Sequence, residues 1–238
     1  HVRSQWGEVK GGQAVYKHAF SRDFHVAKSE LTPTPNQPLI IGMDFARWPA
    51  AVISQLDHMG RLLIFKELEM ENTGVENFVQ TKLVPVLAEQ RFRGLPGYVV
   101  GDPSGVVRSQ IGEESVFGML NKRMQIPSYP AMTNNISPRL RAVEKFLLQQ
   151  RGGQPALLVD PVNCPMLIKG FIYEYRYKVR KDGVMQDEPD KSNRPFPDLH
   201  DALQYAALGT SHTIQARVFR QFSTNSQGPK KVPKEAWT

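Results

Sequence analysis

Leu39-Ile40-Ile41-Gly42-Met43-Asp44-Phe45-Ala46 is an apolar run of strand length that carries one carboxylate near its end. A strand buried on both faces reads this way. An Asp in such a strand is costly unless a charge, a metal or hydrogen bonds compensate it. Two more isolated aspartates follow in comparable settings. Asp102 ends Val99-Val100-Gly101-Asp102, and Asp201 heads Asp201-Ala202-Leu203-Gln204-Tyr205. Together the three carboxylates are expected to converge on divalent metal ions.

Working outward, Arg47-Trp48-Pro49 makes a turn, residues 50–56 and 61–68 read as strands, and Asp57-His58-Met59-Gly60 joins them as a hairpin. Connections this short imply antiparallel neighbours. A helix follows over 74–91, bent or split at Pro85, then a buried strand over 98–101. A strand reached through a helical crossover can pair parallel beside the first, which sets Asp44 beside Asp102. Further on, the pattern predicts a helix over 113–123 and a short strand over 125–129. The next helix is capped by Ser137, has Pro138 at its first position, ends at Gly152-Gly153, and turns Leu140, Val143 and Leu147 to the core. A strand over 156–159 ends at Asp160-Pro161. Residues 171–179 alternate and turn at Lys181-Asp182-Gly183, a β-hairpin signal, with Tyr173, Tyr175 and Tyr177 read as core. The last helix starts near Asp198 and runs to Ser211 or beyond.

Three segments result. Residues 1–38 form an N-terminal connector with short strands at 14–16 and 23–26 and a stiff Pro-rich run over 32–38. Residues 39–213 form the main domain. Residues 214–238 form a basic tail expected to be disordered. The fold class is α/β, a mixed sheet of three antiparallel strands followed by parallel strands, flanked by helices and carrying a β-hairpin insertion.

The chain's 238 residues suffice for one large domain or two small ones. No apolar run approaches the roughly 18 to 20 residues of a membrane span. The start, His1-Val2-Arg3-Ser4-Gln5-Trp6, is no secretory signal and lacks a Met, as in a fragment or a processed chain. A single Cys164 rules out an internal disulfide and suits a reducing compartment. The net charge of +7 suits a polyanionic partner as well as it suits solubility. An acidic cluster inside a basic protein is more informative, because metal-dependent nucleases need both.

Hard cations such as Mg²⁺ and Mn²⁺ prefer oxygen ligands, and in two-metal sites a few carboxylates suffice because water and phosphate complete the shell. With one Cys and no His pair at zinc-binding spacing, the sequence offers no softer site. Each Asp also has a plainer reading: Asp44 as a strand end accepting backbone hydrogen bonds, Asp102 as a turn residue, Asp201 as a first-turn carboxylate. Asp198 is either a fourth ligand or the helix cap. Asp160 reads as a turn, Asp57 as a solvated hairpin tip, and His200 as a neighbour of the site. Candidate contacts for a polyanionic partner are Arg47, Arg108, Arg139, Arg141, Lys191 and Arg194, with Arg176, Lys178 and Arg180 on the hairpin.

Ile41-Gly42-Met43-Asp44, Val100-Gly101-Asp102-Pro103-Ser104-Gly105 and His200-Asp201-Ala202-Leu203-Gln204-Tyr205 resemble the nuclease domain of the large terminase subunits of tailed bacteriophages, which has the ribonuclease H-like fold. Pro155-Ala156-Leu157-Leu158-Val159-Asp160 and the lysine of Asp190-Lys191-Ser192 share the likeness, which runs from Ala14 to Tyr205. The resemblance implies a two-metal endonuclease, using Mg²⁺ or Mn²⁺, that cuts concatemeric double-stranded DNA at the start and end of packaging in the cytoplasm of the infected host. It maps the metal-binding acids onto Asp44, Asp102 and Asp201. It implies the portal, the small terminase subunit and an ATPase domain as partners, and no membrane; no Gly-x-x-x-x-Gly-Lys-Ser/Thr occurs in this chain. Rival readings are a junction resolvase or transposase type of phosphotransferase and a non-catalytic DNA- or portal-binding module.

Overall fold

β1 (Leu39–Asp44) is buried along its whole length. The structure, a computed structural model, describes residues 12–106 and 114–224, with side chains to residue 218 in the last helix. β2 (Ala50–Leu56) and β3 (Leu62–Glu69) pair antiparallel beside β1, as their short connections require. Before β1 lies one helical turn, α1 (Arg22–His25). After β3 a helix runs from α2 (Val75–Phe78) through a widened turn over Val79–Leu83 into α3 (Val84–Leu87). The wide turn falls just ahead of Pro85, whose missing N–H interrupts the regular ladder. β4 (Gly97–Gly101) then returns parallel to β1.

α4 (Val116–Gly118) continues as a widened turn over Met119–Arg123 and leads to β5 (Ser128–Pro130), parallel to β4. α5 (Ile136–Leu147) precedes a small hairpin of β6 (Gln150–Arg151) and β7 (Gln154–Pro155), and β8 (Leu157–Val159) closes the far edge parallel to β3. α6 (Pro165–Lys169) widens over Gly170–Glu174. The ribbon of β9 (Tyr177–Val179) and β10 (Met185–Pro189) comes next, then α7 (Phe196–Gly209) and α8 (His212–Thr224). The main sheet has the order β5-β4-β1-β2-β3-β8.

Alternation along β1 sorts its side chains between two cores. Leu39, Ile41 and Met43 join Val99, Phe78, Leu83 and Leu120 on one face. Ile40 joins Val100, Tyr205 and Ala206 on the face covered by α7. Further along that face, Leu199, Ala202 and Leu203 of α7 meet Val52, Leu62 and Ile64. By the same parity Gly42 and Asp44 look toward α7, as do Tyr98, Val100 and Asp102 on the parallel neighbour.

Several expectations are corrected. Residues 12–38 are more than a connector, because Val15, Tyr16 and Ala19 are buried in the core with Phe171 and Leu203. In place of strands at 14–16 and 23–26 there are single bridges, Ala14 to Arg176 and Val26 to Val159, flanking α1. Buried His25 fixes α1, its Nε2 donating to the Leu147 carbonyl at 2.9 Å. Gly152 and Gly153 do not terminate α5. They form the β6–β7 turn with φ of 59° and 75°, and α5 is flanked by Asn135 rather than capped by Ser137. Residues 171–174 are helical because Leu167, Phe171 and Tyr175, spaced by four, are all buried, leaving only Tyr177–Val179 as strand. Asp57 is buried, accepting from the N–H groups of Met59 and Arg61 and from the Arg61 guanidinium. Helix continues past residue 214, because Ile214 and Val218, one turn apart, pack on the cluster of Tyr98 and Val100. The rest of the expected tail, and residues 1–11 of the expected connector, lie outside the described residues.

α7 approaches β1 more closely than any side chain at position 42 allows. A Cβ on Gly42 would stand 2.0 Å from the Ala202 carbonyl oxygen and 2.5 Å from the Ala206 nitrogen. These are backbone atoms and cannot swing aside. Gly42→Ala is therefore expected to destabilise the chain by about 3 kcal/mol or more, at the upper end for overpacking. Gly74→Ala, where a Cβ meets nothing within 4 Å, is expected to be near neutral. Urea unfolding of both variants checks this, and equal midpoints would contradict it.

Candidate active site

The parallel register of β1 and β4 pairs Met43 with Gly101, so the next residue on each strand is an aspartate. The Asp102 N–H donates to the Met43 carbonyl at 3.3 Å, extending the ladder by one step. Asp102 also holds its own turn, Oδ1 accepting from the Ser104 N–H at 2.8 Å. The turn reading of Asp102 is thus true of one oxygen. Across from the strand ends, α7 carries Asp198 and Asp201, three apart and on adjoining positions of one face. Both are buried, as is Asp44.

Asp44 registers the convergence. Burial pushes its pKa up to about 7, and the charges of Asp201, Asp198 and Asp102 add to the rise, while Lys191 opposes it. Burial also pushes Asp198 up to about 6, against the pull of Arg194. Asp198 is not the helix cap, since Pro195 holds that position. Its Oδ1 lies 3.0 Å from Arg194, and its Oδ2 is buried with no hydrogen-bond partner among the described residues. Asp201 sits between two cations. Arg139 reaches its Oδ1 at 2.7 Å, and Lys191 contacts its Oδ2.

As they stand, no three His, Cys, Asp or Glu side chains among the described residues are grouped closely enough to share one ion. Asp201 and Asp198 lean instead on cations of the chain itself. The donor chemistry nevertheless fits a hard divalent cation: four carboxylates, of which burial and neighbouring acids raise Asp44 and Asp198, buried oxygens on Asp198 and Asp201 without a hydrogen-bond partner, and, among the described residues, no thiol or imidazole facing them. His200 is turned away. It is fully buried, stacked on Tyr175 at 4.4 Å and edge-on to Phe171, and burial lowers its pKa to about 3. Asp160 is also remote in role, accepting from the N–H groups of Leu31, Val162 and Asn163 at the β8 end.

The basic residues divide. Lys191 and Arg194 stand on the loop before α7, directly on the acidic cluster. Arg47 is exposed in the turn after β1, and the neighbouring Trp48 lies 5.9 Å beneath the Arg194 guanidinium and donates to Glu69. Lys178 and Arg180 are on the β9–β10 ribbon, loosely paired with Glu188 and Asp182, and Arg176 is half-buried where the ribbon starts. Arg141 is exposed on α5. Arg139 is not available to DNA, being 5% exposed and committed to Asp201. Its position is a readable signal, because Arg139, Val143 and Leu147 form the buried stripe of α5 at spacings of four. Arg108 lies outside the described residues.

No protein-family model matches the sequence, and no curated protein matches it. The fold does have solved counterparts. The large terminase of a thermophilic bacteriophage superposes with a TM-score of 0.58 at 18% identity, over 82% of this chain and 44% of that one. The complex of the same terminase with ADP gives 0.59 at 17% identity, over 84% and 45%. The g2p (large terminase) nuclease domain of bacteriophage SPP1, solved with bound Mn, gives 0.51 at 15% identity, over 77% and 94%. The chain has the ribonuclease H-like fold of these nuclease domains and spans less than half the length of the thermophilic phage terminase.

Asp44 and Asp198 bind protons more readily folded than unfolded, so they stabilise the metal-free chain below pH about 4 and lose that contribution as pH rises through about 6 and 7. Asp44→Asn, which removes the charge and keeps the shape, is expected to raise the melting temperature in a chelator at pH 8 by about 5 °C. The gain should shrink toward zero at pH 4. Calorimetry across that range checks the sign, and a gain independent of pH would contradict it.

Proposed function

We propose that this chain is the metal-dependent endonuclease domain of a viral DNA-packaging terminase, hydrolysing phosphodiester bonds of concatemeric double-stranded DNA with little sequence preference. The observation that carries the reading is the buried Asp44 at the end of β1, beside Asp102 at the end of parallel β4 and facing the buried Asp198 and Asp201 of α7, with its raised pKa in support. A protein core tolerates such a cluster when a cation is its intended partner. The similarity of fold to the Mn-bound SPP1 nuclease domain supports the same reading.

Asp44, Asp102 and Asp201 would hold the ions, with Asp198 as a fourth ligand. Bound there, two Mg²⁺ or Mn²⁺ ions would activate the attacking water and stabilise the leaving oxygen. Ion binding would draw these carboxylates closer together than they stand and would require Asp201 and Asp198 to release Lys191 and Arg194. Lys191 and Arg194, exposed and set on the acids, would exchange them for phosphates as DNA arrives. Arg47 would track the backbone beside the site, and Arg176, Lys178 and Arg180 would extend that contact along the ribbon. Within the packaging assembly, the partners are the portal, the small subunit and the ATPase domain, in the host cytoplasm.

With supercoiled plasmid and Mn²⁺ or Mg²⁺, the chain is expected to nick and linearise DNA, and Asp44→Ala to reduce the rate by about 100-fold or more. Cleavage unchanged by that substitution would end the metal-site reading. Linear duplex should be cut as readily as a four-way junction; selective junction cutting would transfer the chain to the resolvase class.

A further inference from the structure

The two cations on Asp201 are of different kinds. Lys191 stands on the loop between β10 and α7 with its side chain 44% exposed, and it contacts Oδ2. Arg139 comes from α5, with its side chain 6% exposed, and its Nη2 is ion-paired with Oδ1 at 2.7 Å, a contact that lacks hydrogen-bond geometry. Arg139 is itself fixed from two more directions. Its Nη1 donates to the Asn134 Oδ1 at 3.2 Å, and its guanidinium lies 4.4 Å over the ring of Tyr205. Tyr205, one helical turn beyond Asp201 on α7, donates its hydroxyl to the same Asn134 oxygen at 2.7 Å. The guanidinium is thus clamped between its aromatic floor, the amide and the carboxylate.

We infer that Arg139 is a positioning residue, which fixes the Asp201 carboxylate through Oδ1 so that Oδ2 alone is offered to a metal ion. This rests on the nuclease reading above. A planar, forked cation is suited to the task, because it meets the amide through one nitrogen and the carboxylate through another while stacked on a ring. A lysine ammonium, as at position 191, is a point charge on a flexible stem and can leave. The arrangement divides Asp201 into a committed oxygen and an exchangeable one. It also accounts for the aromatic residue that follows Asp201-Ala202-Leu203-Gln204: Tyr205 supports the arginine and does not face DNA.

Positioning and mere charge balance predict opposite results. If Arg139 only offsets negative charge, Arg139→Gln removes a repulsion and Mn²⁺ binds more tightly, while Arg139→Lys changes nothing. If it positions Asp201, both variants lose the fork, and both bind Mn²⁺ about tenfold or more weaker, as outer-shell losses do. Tyr205→Phe keeps the ring and loses only the hydroxyl anchor, so it should weaken Mn²⁺ binding by a smaller factor, about threefold. The measurement is titration of the full chain with Mn²⁺ followed by electron paramagnetic resonance, after a thermal melt in chelator shows that each variant is folded. Weakening in Arg139→Gln and Arg139→Lys alike supports the inference; tighter binding in the first, or unchanged binding in the second, overturns it. Should neither Arg139 variant fold, Tyr205→Phe decides, with unchanged binding counting against the inference. A wild-type chain that takes up no Mn²⁺ would sink the nuclease reading and this one with it. Uptake by wild type and by all variants equally would sink this one alone.

Discussion

The Ala202 carbonyl oxygen occupies the space where a side chain on Gly42 would begin, 2.0 Å from the position of its Cβ. That contact sets the distance between α7 and β1, and the site depends on it. α7 is buried over nearly all of its length, which marks it as a central helix and not a surface one. Its placement lets Asp198 and Asp201 reach the ends of β1 and β4, where Asp44 and Asp102 already stand side by side. Four acids face one another across the helix–sheet interface because a glycine lets a helix lie directly on the sheet.

Such a gathering has an electrostatic cost, and the chain meets it with its own cations. Asp201 is bracketed by Arg139 and Lys191, and Asp198 leans on Arg194. Asp44 makes no ion pair among the described residues, and burial and the neighbouring acids push its pKa up, with only the charge of Lys191 opposing them. The three cations differ in how firmly they are held. Arg139 is clamped by Asn134 and Tyr205, whereas Lys191 and Arg194 sit on one exposed loop. A site built this way has a fixed side and an exchangeable side, with the exchangeable side toward solvent.

Much of this is readable from residue pattern. The sheet follows from apolar runs with short connections, and Asp44 and Asp102 fall together because each ends an apolar run and the helical crossover makes the two strands parallel neighbours. What pattern alone misses has identifiable causes. Phe171, Tyr173, Tyr175 and Tyr177 fit a period of two, yet Leu167, Phe171 and Tyr175 fit a period of four, and burial decides for the helix. Gly152-Gly153 serves a hairpin as well as it would end a helix, and only φ values distinguish the two. Arg139 reads as a surface cation until its spacing with Val143 and Leu147 is noticed. Asp57 sits at a hairpin tip and is nonetheless buried, because three donors surround it. At the site, residue identity marks the acids, but which cation belongs to which acid depends on the packing of α5 against α7.

Everything proposed for the site requires that the four aspartates form one metal-binding cluster. Crystals of the chain soaked in Mn²⁺, with anomalous scattering recorded at the manganese edge, put that to the test. Manganese peaks are expected in contact with Asp44, Asp102 and Asp201, the Asp201 contact through Oδ2 with Lys191 displaced and Arg139 still on Oδ1. Peaks elsewhere, or none while Lys191 keeps its place on Asp201 at saturating Mn²⁺, would contradict it.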